Sequence, residues 1–104
     1  MAWETEGVQA SPGAGAVLAD TGRLPPGHYT VALLVWTDAG TDIVLQLRNA
    51  ANAANRLSQV VGVRATHLWL PIEYQIAVQA NERLRLVMRA ALVGEIQASL
   101  FWSP

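Results

Sequence analysis

The run Leu68-Trp69-Leu70-Pro71-Ile72-Glu73-Tyr74-Gln75-Ile76-Ala77-Val78, residues 68–78, decides the fold class. Leu68, Leu70, Ile72, Tyr74, Ile76 and Val78 hold every even position, and Trp69, Pro71, Glu73, Gln75 and Ala77 hold the odd ones. A period of two places the even set on one side of an extended chain, whereas a helix would scatter it around its axis. The parity survives the Ala80-Asn81-Glu82 turn, with Leu84, Leu86 and Met88 even and Arg83, Arg85 and Arg89 odd. Beyond Gly94, Ile96, Ala98, Leu100 and Trp102 alternate with Glu95, Gln97, Ser99 and Phe101.

Working upstream, His28 to Thr37 is apolar, aromatic and β-branched on both alternating faces, the pattern of a strand covered on two sides. Asp38 to Asp42 reads as a hairpin connection with its Gly40, and Ile43, Leu45 and Leu47 alternate in the strand after it. Asn49 to Asn55 reads as a loop or one helical turn, and Leu57 to Val63 as a strand with a bulge at Gly62. A short strand is expected over Ala16 to Asp20, followed by a hard turn at Pro25-Pro26-Gly27. Pro12, Gly13 and Gly15 break any regular pattern at the front. Residues 1–15 are therefore expected to form an N-terminal arm anchored by Trp3, and residues 16–104 one domain. Short strands joined by Gly, Asn and Pro turns at intervals of about ten residues indicate an all-β sandwich or barrel.

Apolar residues make up 52% of the 104, and charged residues only 14%. Globular chains carry about a quarter charged residues, so this one has little with which to make a polar skin. The second faces of the strands sharpen the point. If Tyr29, Val31, Leu33 and Val35 point inward, then Thr30, Ala32, Leu34 and Trp36 point outward. Trp69, Ala77, Val87 and Phe101 add to that outward set, opposite the even core positions. Burying one large aromatic is worth about 2–3 kcal/mol, so several exposed together call for a cover. The cover expected is another subunit; the alternative is the chain's own loops, or the arm with Trp3.

Net charge is −1 and every basic residue is Arg, spread along the chain with no basic run, so nucleic-acid binding is not expected. There is no Cys, hence no disulfide framework and no thiolate metal site. The first residues lack the basic and apolar regions of a secretory signal, and the apolar stretch Tyr29 to Trp36 is far too short for a bilayer. Location in a cytoplasm, or release from one by lysis, is the expectation, with no membrane partner.

Candidate chemistry is sparse. His28 and His67 have no metal-ligand spacing, and Ser11, Ser58, Ser99 and Ser103 lie in no nucleophile motif. Asp20, Asp38 and Asp42 are oxygen donors without a calcium-loop spacing, better explained as turn caps. No metal, cofactor or enzymatic activity is expected. Arg83, Arg85 and Arg89 are either a solvated face paired with Glu73 or Glu95, or a patch for an acidic partner. The Asn49–Asn55 loop, with Asn52 at its centre, and Trp3 are the other candidate partner contacts.

Three segments together resemble the tumour-necrosis-factor and complement-head jelly rolls: Gly27-His28-Tyr29-Thr30-Val31, Gln75 to Leu86, and Ile96 to Trp102. The likeness covers roughly residues 27–102, and the first strands are abbreviated against the family pattern. It implies an antiparallel two-sheet jelly-roll sandwich that forms a homotrimer. The threefold contact would involve Thr30, Ala32, Leu34, Trp36, Trp69, Ala77 and Phe101. Small trimeric jelly rolls of this kind decorate, or cement, phage capsids, and that is the function expected. The partner would then be the major capsid protein and the location the virion surface. The Ala- and Arg-rich, Lys-free composition fits a GC-rich bacterial or phage genome. The alternative is a receptor- or glycan-binding head of a fibre or extracellular ligand.

Overall fold

Alternating apolar side chains need a facing layer, and the chain supplies one to itself as two antiparallel sheets. The computed structural model describes residues 2–65 and 67–104, and of residues 67–74 it describes the backbone. Among the described residues the elements are all strands: β1 (Ala2–Thr5), β2 (Gln9–Ala10), β3 (Val17–Arg23), β4 (Gly27–Thr37), β5 (Thr41–Asn49), β6 (Ala54–Val63), β7 (His67–Val78), β8 (Glu82–Met88) and β9 (Glu95–Ser103). The first sheet runs β1-β9-β4-β7, with β2 also on β9, and the second runs β3-β8-β5-β6. All-β with two antiparallel sheets is therefore the observed fold class.

The pairing is nested. β5 pairs with β6, β4 with β7, β3 with β8 and β1 with β9, as if one long hairpin had been wound across both sheets. Only the turn between β5 and β6 joins neighbours along the second sheet. The Asp38–Gly40 connection, read from sequence as a hairpin, instead carries the chain from β4 in one sheet to β5 in the other. A Gly-containing turn serves either purpose, so turn chemistry alone does not reveal the next partner.

Between the sheets lie Val31, Leu33 and Val35 of β4, Ile96, Ala98 and Leu100 of β9, Ile43, Leu45 and Leu47 of β5, and Leu84, Leu86 and Met88 of β8. Each is buried, as the alternation requires, and each large side chain contributes about 1.5–3 kcal/mol by leaving water. The inward set expected for the first long strand, with Tyr29, is thus the observed one. On β7 the register shifts by two residues between the pairs Thr30–Gln75 and Val31–Ile72, so Leu68, Leu70, Ile72 and Ile76 still stand opposite the inward Val35, Leu33, Val31 and Tyr29. Val87, expected on the outward apolar face, belongs to the other sheet, where it pairs with Val17 and Val44 and is buried.

Residues read as an arm form the two short strands on β9. They are tied to the second sheet as well, because Glu6 N donates to Leu18 O at 3.1 Å and Gln9 Nε2 to Val17 O at 2.8 Å. The strand expected at Ala16 to Asp20 runs on to Arg23. β6 starts at Ala54, earlier than expected, and its bulge is at Arg56: Leu47 faces Leu57 and Arg48 faces Asn55, while Gly62 pairs regularly with Asp42.

The end of the sandwich is pinned around Thr37 and Gly94. Thr37 Oγ1 is buried, shares its proton between Ala39 O and Glu95 O at 2.8 and 3.0 Å, and accepts from Ala39 N. Asp38 Oδ1 accepts from Glu95 N at 2.8 Å, and a Cβ on Gly94 would collide with that oxygen. Gly94 also has φ +143°, where side chains are strained. Gly94→Ala is expected to cost about 1–3 kcal/mol, seen as a lower thermal midpoint. The double variant with Asp38→Ala removes the clash but also gives up the bond to Glu95 N, so it is expected to stay less stable than the native chain.

Candidate functional site

The outward face of the first sheet is built from β4, flanked by β9 and β7. Reading across the strands, Ala32 lies between Phe101 and Pro71, Leu34 between Ser99 and Trp69, and Trp36 between Gln97 and His67. Ala32 is buried by its larger surroundings, while Leu34 remains 38% exposed and Trp36 and Phe101 half-buried. β1 brings Trp3 opposite Phe101, and their rings stack with centroids 6.1 Å apart and planes 23° from parallel. Trp3 is nevertheless 59% exposed and Val8 55% exposed. The N-terminal strands extend the sheet sideways, so Trp3 widens this apolar face and does not roof it. A depression of about 360 Å³ in the face is lined by Val8, Leu34, Trp36, Gln97 and Ser99.

Of the residues expected at an oligomer interface, Ala32, Leu34, Trp36 and Phe101 are thus brought together. Thr30 is exposed at the polar end of the same row, between Ser103 and Gln75. Ala77 is exposed but sits further along, opposite His28. Trp69 pairs with Leu34 through its backbone, and its side chain lies outside the described residues. Val8 was not anticipated; it stands in the Gly-containing link between β1 and β2, where no periodicity marks it.

The second sheet carries a different outward face. Arg83 on β8 stands directly opposite Arg23 on β3 and Arg48 on β5, and Arg85 stands between Asp20 and Gln46. Arg83 Nη1 meets Asp20 Oδ2 at 3.2 Å, and Arg48 Nη1 donates to Asn55 Oδ1 at 3.2 Å. Burial lowers the proton affinity of the Arg85 guanidinium; Arg48 and Arg83 push it the same way, and Asp20 opposes them. Its Nε is buried with no hydrogen-bond partner among the described residues. Two expectations are corrected here. Arg83 and Arg89 pair with Asp20 and Asp42, on neighbouring strands of their own sheet; Glu95 belongs to the other sheet, and the side chain of Glu73, on β7, lies outside the described residues. Arg89 lies beyond the end of β8, so it leaves the group, which Arg23 and Arg48 join. Bases scattered in sequence are clustered in space because antiparallel pairing makes distant positions neighbours.

The remaining candidates have local roles. Asp20 Oδ1 accepts from Gly22 N at 2.8 Å, and Asp42 pairs with Arg89 at 3.4 Å in the open. Asn52 Oδ1 accepts from Ala54 N at 3.1 Å, and Asn49 Oδ1 from Ala51 N at 2.8 Å, so these asparagines shape the loop between β5 and β6. His28 is exposed on β4. Among the described residues no three His, Cys, Asp or Glu side chains converge. His67 as a ligand lies outside the described side chains.

One interaction left no periodic signal. Glu82, buried at the start of β8, takes Arg56 Nε and Nη2 at 2.9 Å each and Gln79 N at 2.6 Å. Arg56 Nη2 also donates to Ala77 O on β7, so the pair joins β6 and β8 of one sheet to β7 of the other. The bulge at Arg56 is what turns this side chain toward Glu82. The Arg56 guanidinium, helped by Gln79 N, holds the Glu82 carboxyl below its ordinary range although burial opposes them.

No protein-family model, curated protein or solved structure matches the chain.

Because the folded Glu82 carboxyl is the stronger acid, its contribution is present above the unfolded carboxylate pKa and is lost as pH falls through the lower folded value. Glu82→Gln is expected to cost roughly 1.5–3 kcal/mol at neutral pH, the worth of a charged hydrogen-bond group. In denaturant titrations across the acid range, the variant should show a shallower loss of stability than the native chain.

Proposed function

We propose that the chain is a non-enzymatic structural module, a jelly roll that assembles with copies of itself through the outer face of the first sheet. The observation that carries the reading is the apolar face around Leu34, Trp36 and Phe101, widened by Trp3 and Val8. A lone chain in water would leave that face wet, and contiguous apolar patches of this kind are where proteins meet. The nested pairing β1·β9, β3·β8, β4·β7 and β5·β6 supports the jelly-roll reading of the sandwich.

A cyclic arrangement suits the face. β4, β9 and β1 present it at one side of the first sheet, so three copies meeting there bury it together and leave the second sheet outward. The biological setting proposed is decoration of a phage or virus capsid, where many copies each add modest contacts to the major capsid protein and multivalency sums them.

Light scattering on the purified protein is expected to give three times the 11.2 kDa chain mass, and Leu34→Glu, at an exposed position, a single chain mass with the fold retained by circular dichroism. A native mass of one chain would reject the assembly. For the setting, the protein should bind at regular points on purified capsids that lack it. Retention on a glycan array without capsid binding would favour a receptor-binding head instead.

A further inference from the structure

The outer face of the second sheet concentrates positive charge that the fold does not need. Arg23, Arg83 and Arg48 stand in one row across β3, β8 and β5, and Arg85 is the next outward residue along β8. These are four of the seven basic residues in a chain of net charge −1, and Asp20 is the carboxylate paired among them. Like charges set directly opposite one another across strands are destabilising. Here the opposition occurs twice, at Arg23–Arg83 and at Arg83–Arg48. Asn55 and Gln46, the other polar partners of Arg48 and Arg85, bring no negative charge. An arrangement that costs the isolated chain stability fits a face meant to be neutralised from outside.

We infer that the row Arg23–Arg83–Arg48, with Arg85 beside it, is a docking surface for a carboxylate-rich protein segment. Guanidinium groups match carboxylates in a two-pronged, charge-assisted geometry, and the row spans two interstrand gaps, about 10 Å. That length fits an acidic segment laid across the strands. A nucleic-acid strand is the weaker fit. β3, β5, β6 and β8 contain no Phe, Tyr or Trp, so the sheet offers no ring on which a base could stack. The inference does not rest on self-assembly, because one chain carries the whole row on the sheet that faces away from the apolar surface.

The test uses the full chain and a fluorescent polyglutamate peptide, read by anisotropy per chain. At low ionic strength the peptide is expected to bind, and added salt to weaken it steeply. Arg48→Gln should weaken binding by about tenfold, the loss of one charge-assisted contact, while the thermal midpoint stays level or rises because a repulsion has gone. Three results would overturn the proposal. These are no peptide binding at low salt, an Arg48→Gln variant that melts lower yet binds as before, or an oligonucleotide of equal length binding more tightly than the peptide. A chain that runs as a monomer tests the row as well as an oligomer does, so failure here and failure of the assembly reading remain separate results.

Discussion

The burial of Val31, Leu33 and Val35 against the second sheet is the constraint on which everything else is built. These side chains are fully enclosed by β5, β8 and β9 residues, and they fix which side of β4 is inward. Once that side is fixed, the alternation leaves no freedom for the other: Ala32, Leu34 and Trp36 must point out. A one-residue slip would exchange the two sets, but both are apolar, so register on β4 depends on the nested pairing with β7 and β9. The strand is central because it is apolar on both faces, and its second face becomes the molecule's main hydrophobic surface for the same reason.

The two outward surfaces have opposite characters, and the winding of the chain is what separates them. Aromatic residues lie on strands of the first sheet, at Trp3, Tyr29, Trp36, Phe101 and Trp102 among others, and none lies on the strands of the second. Most of the guanidinium groups lie on the second. Since successive strands alternate between sheets over much of the chain, neighbouring stretches of sequence feed different surfaces. An apolar face and a charged face are thereby set back to back on one thin sandwich.

This separation explains what could be read from sequence and what could not. Period-two patterning reports which side of a strand is buried, so the inward sets on β4, β8 and β9 and the outward set Ala32, Leu34 and Trp36 were legible. The same patterning is silent about which strand lies alongside. The connection at Asp38–Gly40 looks like a hairpin and is a crossover. Arg23, Arg48 and Arg83 look scattered and form a row, because each sits on a different strand of one sheet. Trp3 and Val8 precede any regular alternation, so nothing in their spacing tied them to Phe101 or Leu34. Arg56 and Glu82 are separated by 26 positions and meet only because a bulge redirects one of them. Long-range pairing creates all of these features, and no local window contains them.

The bulge at Arg56 has one more effect, on the rim of the second sheet. β6 is the outermost strand there and carries exposed Leu57 and Val60 with a single charged residue, so its free backbone groups could template growth by foreign strands. An extra residue near its start kinks the strand there, while Leu57 to Val63 keep a regular ladder with β5. A guanidinium committed to Glu82 holds that distortion in place. The same contact that joins the two sheets therefore also limits how far a straight incoming strand could run along that border.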